Sequence, residues 1–173
     1  RAPAAHIASI LSHRYPAPMN RPASIMAFGV LFLLTACTTS DHPQPRRALY
    51  DPAEYAPYAR QGTGRIEGQA FLVQRGGGVV VGAGRTVYLT PVTSLSTETY
   101  DRWIVGYQPL EPTDAPIDDF TRTIRGDAEG RFTFDGLPPG DYYLWCSIHW
   151  EVPQGNITSR EGGIAHAKTG VRD

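Results

Sequence analysis

From Gly64 onward, the chain shows short stretches in which apolar and polar residues alternate, separated by glycines and prolines. Alternation with a period of two places successive side chains on opposite faces of a strand, so each stretch predicts a half-buried β-strand. The glycines and prolines between the stretches favour turns. Six strands are predicted, at residues 65–74, 85–91, 120–125, 131–135, 141–150 and 163–171. The pattern therefore predicts an all-β fold over residues 64–173.

Residues 94–105 depart from this strand pattern. Their first half is rich in Ser and Thr, which are typical of helix starts, and Tyr100 and Trp103 follow one helical turn apart. We expect one short helix here. The next stretch, residues 107–119, contains three prolines and several acidic residues and is predicted to form an exposed loop.

The clearest prediction of strand faces comes from the two strands on either side of residues 136–140. Phe132 and Phe134 alternate toward the core before this glycine- and proline-rich turn. After the turn, the inward face is predicted to carry Tyr142, Leu144, Cys146 and Ile148. The outward face is predicted to carry Tyr143, Trp145, Ser147 and His149.

Residues 130–144 also resemble the signature of carboxypeptidase regulatory-like domains, with Gly-x-Phe-x-Phe, Leu-Pro-Pro-Gly and x-Tyr-x-Leu in order. Gly68 and residues 84–89 are similar in character to the first two strands of that family. The resemblance implies a transthyretin-like (prealbumin-like, Ig-like) β-sandwich of about six to seven strands with one short helix. Because Asp173 comes where a hairpin turn is expected, a truncated C terminus stays open. The family is mostly non-enzymatic, so the resemblance implies a binding or structural role.

An apolar run that begins at Ile25 ends in Leu34-Thr35-Ala36-Cys37, which resembles the lipobox of a bacterial lipoprotein signal peptide. Met19-Asn20-Arg21 matches the short positive region that precedes such a run. The run is about half of the ~20 residues that a transmembrane helix requires. We therefore expect a signal peptide over residues 19–36, with residues 1–18 as non-native upstream sequence.

In the lipoproteins that this motif resembles, the cysteine becomes the first mature residue and carries acyl chains, palmitate among them. Cys37 is accordingly the predicted lipidation site, and two or three acyl chains anchor a protein strongly to a membrane. The resemblance implies a lipid-anchored protein of the bacterial cell envelope. Thr38 replaces the Asp that commonly retains such proteins at the inner membrane, which favours the outer membrane, facing the periplasm.

Residues 37–63 carry four prolines among mostly polar residues, a composition that predicts an extended tether. Tyr50, Tyr55 and Tyr58 interrupt its polar character. These three tyrosines could instead dock along the domain, and the sequence leaves both arrangements open.

Charge and cysteine content exclude some functions. Three of the 16 basic residues precede Cys37, so a processed chain carries 13 basic and 17 acidic residues. Such a balance argues against nucleic-acid binding. If Cys37 is acylated, Cys146 has no intramolecular partner, and its inward position favours a buried thiol over an intermolecular disulfide.

Candidate chemistry centres on the predicted outward face of Tyr143, Trp145 and His149, because Trp and Tyr offer apolar area with a polar edge to a sugar ring. The alternative is that the predicted helix or the tether covers this face. Tyr142, Tyr143, His149 and His166 are the one set that resembles the iron ligands of intradiol dioxygenases. Tyr142 is predicted to point inward, however, and two histidines alone fall short of a metal site.

The sequence thus predicts a non-catalytic envelope module, with no cofactor and no metal, that binds a protein or gives structural support. Carbohydrate binding through the aromatic face is the alternative, and an iron-dependent dioxygenase-like enzyme is less favoured. The expected partners are the membrane, through Cys37, and an envelope protein or glycan.

Overall fold

Nine β-strands in three sheets make up about half of the chain that the computed structural model describes, namely residues 5–7, 47–74 and 76–172. Only the backbone is described at residues 5–7 and at Gln154. The strands are β1 (Ala5–Ile7), β2 (Gly64–Gln69), β3 (Phe71–Val73), β4 (Val79–Val81), β5 (Thr86–Pro91), β6 (Arg122–Arg125), β7 (Arg131–Leu137), β8 (Gly140–Gln154) and β9 (Ile157–Val171). The helices are α1 (Pro52–Tyr55) and α2 (Ser94–Thr99).

Two of the sheets face each other across one core. The four-stranded sheet has the order β6-β5-β8-β9, and the three-stranded sheet has the order β1-β2-β7. The buried cluster between them takes side chains from both, including Ile66, Phe134, Leu89 and Leu144. β3 and β4 form a separate hairpin, whose Leu72 joins the same core. This arrangement agrees with the predicted all-β sandwich.

Five of the six predicted strands are present, with ends that differ by a few residues. The strand predicted at residues 65–74 is instead divided into β2 and β3, which lie in different sheets. The break falls at Ala70, whose N–H donates a hydrogen bond to the carbonyl of Gly130 and whose carbonyl accepts one from Gly82. β4 was not predicted, because three valines flanked by glycines are too short a stretch to show alternation. The hairpin of β8 and β9 is also longer than predicted. β8 and β9 have 15 residues each, and β8 continues through Pro153.

The predicted inward face after the turn is confirmed. Tyr142, Leu144, Cys146 and Ile148 are all buried in the core cluster. The Tyr142 hydroxyl donates a hydrogen bond to the carbonyl of Pro138 at 2.7 Å, which satisfies its polar end. Cys146 is a free thiol, 1% exposed, and burial raises its pKa to about 11. The prediction that Cys146 lies in the core is therefore confirmed.

The second half of the predicted tether is folded against the domain. Asp51 caps α1, whose last residue, Tyr55, is 1% exposed. Thr93 donates a hydrogen bond to the Tyr55 hydroxyl at 2.9 Å, and Tyr58 packs edge-on against Tyr142. Of the two arrangements that the sequence left open, the structure shows the tyrosines docked. The part of the predicted tether before Arg47 lies outside the described residues, as do the predicted signal peptide and Cys37.

β1 lies within the stretch that was predicted to be non-native upstream sequence. Its backbone pairs in parallel with β2, Ala5 opposite Ile66 and Ile7 opposite Gly68. This pairing does not show where the native chain starts, so the assignment of residues 1–18 stays a prediction. Within the described ranges, no helix has the length and apolar character needed to cross a membrane.

Candidate functional site

The outward face of the four-stranded sheet carries the residues that the sequence analysis singled out. Side chains on this face form rows across the strands, because paired residues of neighbouring strands lie side by side. The first row consists of Thr90, Tyr143 and Lys168. The second row consists of Thr123, Tyr88, Trp145 and His166. The third row, by continuation of the same register, contains Arg125, Thr86 and Ser147.

A helical segment covers the first row. α2 continues into a π-helical turn over Tyr100–Val105. The two together span residues 94–105, where the sequence predicted a short helix. The ring of Tyr100 stacks on that of Tyr143, with 4.0 Å between centroids and 16° between planes. The Tyr143 hydroxyl also shares a 3.1 Å hydrogen bond with Thr97. Tyr143 is therefore only 6% exposed and is closed off from a ligand in solution.

Specific contacts fix this helical segment in place. Thr93 and Ser96 form a capping box at the start of α2, and Leu95 and Ile104 are buried beneath it. At the C-terminal end of α2, the Tyr100 hydroxyl lies 2.8 Å from Nδ1 of His166. Burial, followed by the nearby Tyr143 and Asp101, raises the pKa of Tyr100 to about 12. The hydroxyl consequently stays protonated at neutral pH.

An ionic cluster holds the outer side of the same segment. Glu98 accepts a hydrogen bond from the backbone of Ala48 at 2.7 Å and pairs with Arg102 at 2.9 Å. Arg47 lies 4.0 Å from the same carboxylate. Burial alone would raise the pKa of Glu98, but the Ala48 hydrogen bond and the two arginines outweigh it and lower the pKa. This cluster joins the docked N-terminal stretch to α2.

Tyr88 and Trp145 of the second row remain partly exposed. Together with Trp103 they form an aromatic cluster. The rings of Tyr88 and Trp145 stack with centroids 3.8 Å apart and planes within 3°. Trp103, from the π-helical turn, meets Trp145 edge-on at 5.1 Å and 84°. Trp103 is 39% exposed, whereas Tyr88 and Trp145 are half-buried. The cluster therefore presents aromatic surface to solvent at the edge of the helix.

The third row adds hydroxyl groups and charge beside the aromatic cluster. Thr86 and Ser147 are half-buried, and Arg125 is exposed. The Ser147 hydroxyl lies 3.2 Å from Nδ1 of His149, which is two residues further along β8. Burial, with the charges of Arg160 and Arg85, lowers the pKa of His149. His149 is consequently neutral at pH 7.

The three residues of the predicted ligand face do not form one pocket. Tyr143 and His149 are six residues apart on one strand, a separation of roughly 20 Å at about 3.3 Å per residue. Tyr143 lies under Tyr100, Trp145 belongs to the aromatic cluster, and His149 lies beyond it near Arg85. Sequence reasoning missed Tyr88 and Trp103. The signal for Tyr88 was its outward position on the strand beside Trp145, and for Trp103 its place on the covering helix.

The residues that resemble an iron site are not brought together. Tyr142 points into the core, whereas Tyr143, His149 and His166 lie on the opposite face of the sheet. His149 pairs with Gly162, and His166 pairs with Trp145. The two histidines therefore lie two rows apart along the strands, with the row of Ser147 between them. In the part of the chain that the structure describes, no three His, Cys, Asp or Glu residues form a metal-binding group.

Comparison with known proteins finds similarity to a solved structure. No protein-family model matches the chain, and no curated protein matches it. A crystal structure from Pseudomonas aeruginosa is similar, with a TM-score of 0.65 and 26% sequence identity. The match covers 74% of this chain and 93% of that chain. The P. aeruginosa protein is described, provisionally, as a carbohydrate-binding protein.

Proposed function

We propose that this protein is a non-catalytic carbohydrate-binding module of the bacterial cell envelope. The aromatic cluster of Tyr88, Trp103 and Trp145 supports the proposal, because sugar rings stack their apolar C–H faces on exposed aromatic side chains. Thr86 and Ser147 lie in the next row of the same sheet and offer hydroxyl groups to the sugar hydroxyls.

The observation that carries the proposal is the exposure of Trp103. A tryptophan that packs edge-on against Trp145 but keeps 39% of its surface in solvent provides a rigid aromatic platform. Large exposed aromatic side chains are enriched at binding sites. The structural neighbour from P. aeruginosa adds support, since its provisional assignment is to carbohydrate binding. The sequence placed protein binding or structural support first, and these two observations reverse that order.

We also propose that the sandwich is a carboxypeptidase regulatory-like, transthyretin-like domain. The Leu137-Pro138-Pro139-Gly140 element of that family's signature forms the turn between β7 and β8 here. At Gly140 the backbone has φ of 152°, and a Cβ would lie 2.6 Å from the Tyr58 ring. Glycine is thus required at the last position of this element.

Replacement of Trp103 by alanine tests carbohydrate binding. The probes are cellohexaose, laminarihexaose, chitohexaose and hexagalacturonate, each titrated by calorimetry. At least one should bind, and Trp103→Ala should raise its Kd by about tenfold or more, since loss of ring stacking costs on the order of 1.4 kcal/mol. Val79→Ala removes another exposed apolar side chain, on the separate hairpin, and should leave the Kd unchanged.

Two results would overturn the carbohydrate proposal. One is the absence of binding to all four hexasaccharides at millimolar concentration. The other is binding that Trp103→Ala and Val79→Ala weaken equally, because the aromatic cluster would then have no part in it.

We also propose that Cys37 anchors the protein to a bacterial membrane through acyl chains, with the outer membrane, facing the periplasm, as its location. The lipobox-like Leu34-Thr35-Ala36-Cys37 supports this proposal. In cells fed radioactive palmitate, Cys37→Ser should abolish labelling and release the protein from the membrane fraction. Cys146→Ala removes the buried cysteine and should keep both labelling and anchoring. Labelling that survives Cys37→Ser would refute the anchor.

A further inference from the structure

Three exposed arginines lie near the third row of the outward sheet face or near His149. Arg125 is on β6 beside Thr86 in the third row. Arg85 directly precedes β5 and donates a hydrogen bond from Nη2 to the carbonyl of His149 at 2.9 Å. Arg160 is on β9, two residues before Gly162, which pairs with His149. All three side chains are exposed to solvent.

These arginines differ from several others in having no carboxylate partner. Ion pairs with Glu or Asp side chains are made by Arg47, Arg65, Arg102 and Arg172. Among residues 47–74 and 76–172, no acidic side chain lies within 4.0 Å of the guanidinium groups of Arg85, Arg125 or Arg160. Glu151 lies opposite Arg160 in the β8–β9 hairpin, but the two do not form an ion pair in this described part. None of the three guanidinium groups is therefore held in an ion pair within the described residues, and each is available to an anionic ligand.

Arg125 lies close to the aromatic cluster, whereas Arg85 and Arg160 lie further along the sheet, near His149. Arg160 and Arg85 are near enough to lower the pKa of His149 by their charge, after the larger effect of burial. Arg125 is one row from Tyr88, which corresponds to roughly 7 Å along the strands. A guanidinium group binds carboxylates through two parallel hydrogen bonds, which makes Arg well suited to acidic sugars.

We propose that the ligand of this face is an acidic polysaccharide built from uronic acids. One ring stacks on the aromatic cluster at Trp103 and Trp145. The carboxylates of further rings along the same polysaccharide chain pair with Arg125, Arg85 and Arg160. This inference rests on the proposed carbohydrate-binding function and specifies the class of sugar that the site takes.

Two hexasaccharides that differ in the charge of their carboxyl groups test the inference. Hexagalacturonate is compared with its fully methyl-esterified form by calorimetry on the folded protein, at two salt concentrations. The acidic form should bind at least tenfold more tightly at low salt, and the difference should shrink at high salt because screening weakens exposed charges. Arg125→Gln and Arg160→Gln should each reduce the affinity for the acidic form by roughly tenfold and leave the esterified form unchanged.

Arg60→Gln is the matched control, since Arg60 is exposed in the loop before β2 and belongs to none of the three rows. It should have no effect on either affinity. Equal affinity for the two forms would overturn the preference for acidic sugars, and the carbohydrate function would then stand on the neutral hexasaccharides. An equal loss in Arg60→Gln and Arg125→Gln would overturn it as well, because diffuse charge would explain the binding. Absence of binding to both forms also overturns the inference, whatever the neutral sugars show.

Discussion

At the scale of single residues, alternation along β8 decides which side chains serve the core and which serve the surface. Tyr142 and Cys146 point inward, and Tyr143 and Trp145 point outward, as the period of two predicts. The two outward residues nevertheless end in different surroundings. The ring of Tyr100 covers Tyr143, whereas the partly exposed Trp103 packs edge-on against Trp145. The distinction depends on where the helix stops.

Burial of Cys146 has a measurable consequence at high pH. Its ordinary pKa of 9.0 rises to about 11 in the folded protein because burial disfavours the thiolate. The folded state therefore binds the proton more tightly than the unfolded state. Its contribution to stability is fully present below pH 9 and is lost as the pH rises toward 11. The two-unit shift corresponds to a loss of up to about 3 kcal/mol.

The free energy of unfolding, measured in urea between pH 8 and 11, checks this expectation. Cys146→Ala should be less stable at pH 8, because it leaves a small cavity, and should show a shallower decline with pH than the natural chain. Parallel declines for the two proteins would show that Cys146 is not the group responsible.

At the scale of elements, α2 and the π-helical turn that follows it cover one part of the outward sheet face and leave the other part open. The position of α2 depends on Thr93, which caps the helix and also donates a hydrogen bond to the buried Tyr55 of α1. One side chain thus connects the docked N-terminal stretch to the start of the helix. Movement of α2 would shift Tyr100 away from Tyr143 and displace Trp103 with it.

Thr93→Ala should lower the free energy of unfolding by about 1–2 kcal/mol, the usual cost of a lost helix cap. It should also reduce the near-ultraviolet circular dichroism of the stacked aromatic rings, since the anchor of α2 is weakened. Thr63→Ala, at an exposed position in the loop before β2, serves as the control and should alter neither signal. A Thr93→Ala protein with natural stability would contradict the role given to this cap.

The elements also show how far the sequence could predict this structure. Most of the strands and the helix were predictable because their periods are local properties of the chain. The docking of α1 was not, since the buried position of Tyr55 depends on Thr93, 38 residues later. For the same reason, the sequence identified Trp145 as an outward aromatic residue but not Tyr88 and Trp103 as its neighbours. Their meeting requires the pairing of β5 with β8 and the covering helix.

At the scale of the whole molecule, a sandwich with one partly covered face provides a fixed platform for a ligand. The core between the two sheets holds the outward rows in register, and the docked N-terminal stretch reinforces the helix beside them. Such a rigid support reduces the entropy lost on binding. With an acyl anchor at Cys37, the module would present this face near a membrane, as proposed above.

The most direct test of this account is a nitrogen-15 NMR titration with whichever of the four hexasaccharides binds most tightly. The protein has three tryptophans, and each indole N–H gives a separate signal. Trp103 and Trp145 belong to the aromatic cluster, whereas Trp150 packs against the core from the inward face. The account predicts that the indole signals of Trp103 and Trp145 shift with the sugar and that the signal of Trp150 stays in place. Shifts confined to Trp150, or shifts that spare Trp103 and Trp145 at saturation, would contradict it.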